Sequence, residues 1–183
     1  AYHKKFWIII LKKINNENII EYLLLTLKKS RIKRGKAFLI RGFSKMFISL
    51  KSYSFKKIGY SSDLFLDLSD NASIFLFLND GFIPHENGLV SVFKHFESSN
   101  KNFFDIGTNY GFYPWVFLNE NLYNKIYCFE PNKALMKLLQ KTFQNANNKV
   151  LLYNLGLGEK KDKLFFNVNP LDSDLGTFSK YNS

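Results

Sequence analysis

The sequence predicts an α/β protein, a parallel-sheet domain preceded by a basic and mostly helical arm. Three observations carry this. Residues 102–154 alternate strand, helix, strand, helix, strand, the pattern of a right-handed parallel unit. Residues 103–113, Phe-Phe-Asp-Ile-Gly-Thr-Asn-Tyr-Gly-Phe-Tyr, read as the end of a buried strand, a glycine turn and the start of a helix. The charge is split along the chain. Residues 1–60 hold 15 Lys and Arg against Glu17 and Glu21, whereas residues 61–183 hold 11 against 13 Asp and Glu.

These observations divide the chain into a basic helical region, 1–60, and an α/β domain, 61–183. At 183 residues, 46% hydrophobic and 17% aromatic, the chain is long enough for one domain with a substantial core. A single cysteine, Cys128, excludes an internal disulfide and fits a reducing compartment. His3, His85 and His95 are far apart in sequence and near no cysteine cluster, which argues against a metal site. The apolar run Phe6–Leu11 is too short to cross a bilayer, which takes about 20 residues, and it lacks a signal-peptide cleavage site. The expected location is the cytoplasm, with the arm's charge able to hold the chain at an anionic membrane surface. No RNA-binding signature occurs, which argues against a nucleic-acid partner.

In chain order, residues 4–14 set lysine pairs around an apolar block, and Asn15, Asn16 and Asn18 break it. Residues 17–29 carry Ile19, Ile20, Leu23, Leu24 and Leu27 at helical spacing, with acids first and Lys28 and Lys29 last, as the helix dipole favours. Residues 37–50 predict a further helix. Leu64–Leu68 and Ser73–Leu78 read as strands, with turns at Asp70-Asn71 and Asp80-Gly81. Pro84 opens a helix over 86–97, with Leu89, Val90, Val92, Phe93 and Phe96 on its buried face. After the central strand come a helix over 112–122, a strand over 125–129, a helix over 133–144 and a strand over 150–153. A turn through Gly156 and Gly158 leads to a strand over 163–168, and 169–183 reads as loop.

In an open parallel sheet, ligands bind beyond the carboxyl ends of the strands. Three such ends are legible: Asp105-Ile-Gly, Glu130-Pro-Asn and Tyr153-Asn-Leu. An acid at the end of the second strand can accept hydrogen bonds from both hydroxyls of a ribose, which points to an adenosine-containing cofactor. Dinucleotide folds use Gly-x-Gly-x-x-Gly to seat a pyrophosphate. Here the pattern is Asp-x-Gly-x-x-x-Gly, and Asp105 would repel that pyrophosphate. An aspartate there suits a cationic group, such as the ammonium of S-adenosylmethionine.

The segments Asp-Ile-Gly-Thr-Asn-Tyr-Gly-Phe-Tyr (105–113), Ile-Tyr-Cys-Phe-Glu-Pro-Asn (126–132) and Asn-Leu-Gly-Leu-Gly-Glu (154–159) resemble the FkbM-type S-adenosylmethionine-dependent methyltransferases. The resemblance covers about 61–180 and is closest between 103 and 159. Thr108 stands where members usually have Ala, and Leu-Gly-Leu-Gly-Glu stands for their Ala-Leu-Gly-Asp. The resemblance implies a Rossmann-like class I methyltransferase sheet, here without its later strands. It implies that Asp105, Gly107, Thr108, Asn109 and Gly111 form the methionine-side loop. Glu130 would bind the ribose, Pro131 and Asn132 flank the adenosine, and Asn154 and Leu155 approach the adenine edge. The implied acceptor is a hydroxyl of a sugar, glycan or related small molecule. The family's Ile-Asp-x-Ile-Lys-Ile-Asp-Val-Glu-Gly segment does not occur in this chain, and the first residue is Ala, so a fragment is expected and no catalytic residue is assigned.

Rival readings are a non-catalytic fragment that at most binds the cofactor, an RNA methyltransferase using the basic arm, and a nicotinamide oxidoreductase, which the glycine spacing disfavours. Cys128 sits in an apolar strand and reads as an inert core thiol. His85 and His95 read as surface or helix residues rather than bases.

Overall fold

The computed structural model describes residues 16–32, 34–96 and 98–180, so the segment 4–14 lies outside them. The elements are α1 (Asn16–Lys29), α2 (Lys36–Met46), β1 (Tyr53–Phe55), β2 (Leu64–Leu66), α3 (Asn71–Leu78), α4 (Asn87–His95), β3 (Ser98–Ile106), α5 (Phe112–Asn119), β4 (Tyr123–Phe129), α6 (Lys133–Thr142), β5 (Val150–Tyr153), β6 (Leu164–Asn167) and β7 (Thr177–Lys180). Short 3-10 turns occupy Ile48–Ser52, Pro84–Glu86 and Ser173–Leu175.

The centre is a parallel three-stranded sheet in the order β3-β4-β5. In register, Asp105 lies beside Cys128, and Cys128 beside Leu152. One face of the sheet is covered. On it, Ile126 and Cys128 are fully buried, and Phe103 packs edge-on against Phe93 and Phe117. On the other face Phe104, Ile106 and Tyr153 reach solvent, and their neighbours form ring stacks, Phe104 on Tyr127 at 4.7 Å and Phe129 on Tyr153 at 5.1 Å. Two antiparallel pairs, β1-β2 and β6-β7, stand apart from this sheet.

One hydrophobic core runs through both halves of the chain. Leu24 of α1, Ile40 of α2, Leu50, and Leu64 and Leu66 of β2 join Phe77, Trp115, Phe117, Ile126 and Leu139 in it. Residue 60 falls between β1 and β2, which pair with each other. Lys28 of α1 reaches Asp80 at 2.6 Å, and Leu68 donates its backbone N–H to Leu50 at 2.8 Å.

Ser73–Leu78 is a helix, not the predicted strand. Asp70 caps it by accepting from the Ala72 N–H at 3.2 Å, and the Ser73 hydroxyl donates back to the Asp67 and Asp70 carbonyls. Ser73, Ile74, Leu76 and Phe77 are all buried, so burial on several sides leaves no clear polar face to mark a helical period. The predicted buried face of α4 is also only part right. Val90 and Phe93 are half-buried, while Leu89, Val92 and Phe96 are exposed. The expected loop 169–183 holds the Ser173–Leu175 turn and β7, which closes a hairpin on β6. Among the described residues no helix is long and apolar enough to cross a membrane.

Candidate functional site

The site lies at the carboxyl ends of β3 and β4. The loop after β3 is held chiefly through its own backbone amides. The N–H groups of Gly107 and Thr108 both donate to the Phe129 carbonyl, at 2.9 and 3.1 Å. The Asn109 N–H donates to Glu130 Oε2 at 2.8 Å, and the Gly111 N–H to the Thr108 carbonyl at 2.8 Å. Four loop amides that could cradle a pyrophosphate are therefore already used.

The two loop glycines do different work. Gly107 has φ +77°, and a side chain there would meet nothing within 4 Å, so bare backbone faces open space. Gly111 has φ +78°, and a Cβ would lie 2.7 Å from Leu139 Cδ2 and 3.1 Å from Phe143. It lets the start of α5 pack on α6. Asn109 also takes a positive φ, of 50°, which asparagine tolerates better than most residues.

Glu130 is 4% exposed, and both its oxygens are engaged. Oε2 accepts from Asn109 and Oε1 from the Asn132 N–H at 2.8 Å. Burial raises its pKa, and these two amides offset part of that rise. Each carboxylate oxygen keeps a further lone pair for a ligand hydroxyl. Asn132 caps α6 through its side chain, accepting from Ala134 at 2.9 Å. Asn154 donates to the carbonyls of Glu130 and Pro131, at 2.8 and 3.1 Å, and so fixes the turn after β4.

Two cavities meet at this loop. One, of about 300 Å³, is lined by Glu130, Pro131, Gly156, Leu157, Phe166 and Phe178. The other, of about 410 Å³, is lined by Asp105, Thr108, Glu86, Tyr113, Phe75 and Ile83. Ile106, Gly107, Asn109 and Asp174 border both. Both volumes suit small-molecule sites, which run from roughly 300 to 1,000 Å³.

The larger cavity is acidic. Burial drives the pKa of Asp105 up to about 6, with Glu130 and Glu86 adding repulsion and Thr108 opposing the shift. Burial also raises Asp174, which lies near Asp172 and is hydrogen-bonded by the Asn109 side chain. Glu86 accepts from the Tyr113 hydroxyl at 2.6 Å, and both this bond and burial hold that phenol protonated.

Asp105, Gly107, Thr108, Asn109, Glu130 and Pro131 thus come together around the two cavities. Gly111, Asn132, Asn154 and Leu155 border neither, and the first three of these shape the loops that do. Glu86, Asp174, Phe166 and Phe178 are absent from the sequence reading. Tertiary folding alone brings them in, because the β6-β7 hairpin seats Phe178 against Gly156 and Phe166 against Gly176. The strap before β7 is pinned on the loop. Ser173 donates from its hydroxyl to Asn109 at 3.0 Å and from its N–H to Asp70 at 3.1 Å, and Asp70 also accepts from the Tyr110 hydroxyl at 2.7 Å. Cys128 is buried, and burial raises its thiol pKa far above the usual range, which keeps it inert. No group of three His, Cys, Asp or Glu residues able to hold a metal ion occurs among the described residues.

No protein-family model matches this chain, and no curated protein matches it significantly. Among solved structures, the crystal structure of M. jannaschii tRNA m1G37 methyltransferase aligns with it at 20% identity and a TM-score of 0.37. That alignment covers 54% of this chain and 29% of the other. So partial a superposition informs neither activity nor substrate.

Proposed function

We propose that this chain binds S-adenosylmethionine across the two cavities and serves methyl transfer to a hydroxyl of a sugar, glycan or related small molecule, as in FkbM-type enzymes. The observation that carries the reading is the placement of Glu130 in the smaller cavity and Asp105 in the larger, on either side of a glycine with nothing over its α-carbon. A nucleoside and a cationic amino-acid end need that pair of environments.

The residues present fit the cofactor. Glu130 would accept from ribose hydroxyls through its unused lone pairs, and Pro131 and Leu157 would be apolar walls for the base. Asp105 and Asp174 would hold the ammonium and sulfonium charges, and Glu86 lines the same cavity. The sulfonium supplies an activated methyl group, so the protein's part in transfer is alignment of the acceptor oxygen and exclusion of water. Phe75, Ile83 and Tyr113 close the larger cavity with apolar and aromatic surface.

Isothermal titration of the folded chain with S-adenosylmethionine and S-adenosylhomocysteine tests this. The expected result is saturable binding that Asp105→Ala weakens at least tenfold, because a buried counter-charge to the ammonium is lost. A folded chain that releases no heat, or an Asp105→Ala variant that binds like the parent, would overturn the reading.

A further inference from the structure

The outer faces of α1 and α2 present an unusual combination of exposed apolar and unpaired basic side chains. Core residues Ile40 and Ser44 define the buried side of α2. At about 100° per residue, Phe38, Gly42 and Met46 fall on the opposite side, with Leu39 at the margin. Phe38 is 74% exposed and Met46 73%, and Ile48, just past the helix, is 85% exposed. Lys45, exposed, borders this arc on one edge. α1 repeats the pattern. Its core side is Ile20 and Leu24, and Tyr22, Leu25 and Lys29 lie outward, with Tyr22 70% exposed.

A helix that is apolar on both sides lacks a partner for one of them. Three occupants are conceivable: a second copy, a nucleic acid or a bilayer. A second copy would press two strongly basic surfaces together, since Lys29, Arg31, Arg34 and Lys45 are exposed and form no ion pair among the described residues. A nucleic acid would use the cations and could stack a base on Phe38, but it gives no reason for a protruding methionine and isoleucine beside it. A bilayer with anionic lipids takes both, with apolar side chains entering the acyl boundary and lysines at the headgroups.

We infer that the outer faces of α1 and α2 form an interfacial docking surface for an anionic membrane, with Phe38, Met46 and Ile48 entering the bilayer. The surface is independent of the proposed chemistry, so each reading can fail without the other.

Flotation of the full chain with vesicles tests it, using phosphatidylcholine alone and phosphatidylcholine with phosphatidylserine. The expected result is retention on the anionic vesicles only, reversed by high salt. Replacing Phe38 and Met46 together by Ser leaves the net charge unchanged and is expected to cut partitioning about tenfold. Lys45→Gln is expected to cut it about fivefold, and provides a second variant if the first is impaired in folding by near-ultraviolet circular dichroism. Three results would each overturn the inference: no vesicle binding, vesicle binding that both variants retain, or a concentration-dependent dimer in sedimentation velocity that the double variant abolishes. Retention on an RNA homopolymer in place of vesicles would assign the face to nucleic acid and overturn it as well.

Discussion

Asp105 is a carboxylate placed where a carboxylate is least stable. In the folded chain it takes up its proton near pH 6, against 3.8 ordinarily. Between these values the folded form holds more protons than the unfolded form, so this residue makes stability fall as pH rises through that window. Asp105→Asn removes the cost. The expected outcome is a gain on the order of 2 kcal/mol above pH 6, discounting the roughly 3 kcal/mol that the shift implies for partial solvation, together with loss of cofactor binding. Urea titrations at pH 5 and pH 8 check the first, and calorimetry the second. If the proposed reading holds, S-adenosylmethionine affinity falls as pH drops below 6, because a protonated Asp105 no longer offsets the ammonium charge. The two glycines separate in the same way. Gly111→Ala meets both a positive φ and Leu139 at 2.7 Å, and is expected to lower stability by about 2–4 kcal/mol. Gly107→Ala meets only the positive φ, so about 1–2 kcal/mol is expected, and on the proposed reading its larger effect falls on S-adenosylmethionine affinity. Thermal melts beside ligand titrations distinguish them.

At the scale of elements, Asp70 joins three pieces of chain. It caps α3, accepts from the Tyr110 hydroxyl and accepts from the Ser173 N–H. Asp70→Ala is expected to lower stability by about 3 kcal/mol, combining a lost cap with a buried phenol that loses its carboxylate acceptor, and to free the strap 171–176 for faster proteolysis. Chemical denaturation and limited digestion read these separately. The same element shows what the sequence can express. β4, α6 and β5 are legible because their signals are local: short apolar runs at 125–129 and 150–153, and a stripe of Leu135, Leu138 and Leu139 between them. α3 is not, because a helix with apolar residues on several sides reads as a strand. The β6-β7 pair is missed because its second strand is short and follows a run of turn residues. The site divides along the same line. Asp105, Gly107 and Glu130 sit in contiguous motifs at strand ends, whereas Glu86 and Asp174 enter from distant segments, and no spacing records that.

For the whole molecule, charge and stability are linked. The chain carries a net +11, concentrated in residues 1–60, yet only two ion pairs, Lys28–Asp80 and Lys94–Glu120, occur among the described residues. Repulsion within the arm therefore outweighs attraction that salt would screen. The melting temperature is expected to rise modestly as sodium chloride increases from low ionic strength to about 0.3 M, and a flat or falling profile in calorimetry would refute this. The open face of the β3-β4-β5 sheet has a consequence of another kind. Its rings are stacked in parallel, Phe104 on Tyr127 with planes 7° apart and Phe129 on Tyr153 with planes 14° apart. Rigid, close tyrosine chromophores in a chiral frame contribute to the near-ultraviolet spectrum, and that contribution vanishes when side-chain packing loosens. The sheet that carries Asp105 and Glu130 thus supplies its own optical gauge, able to report whether a site variant has lost a ligand contact or the architecture behind it.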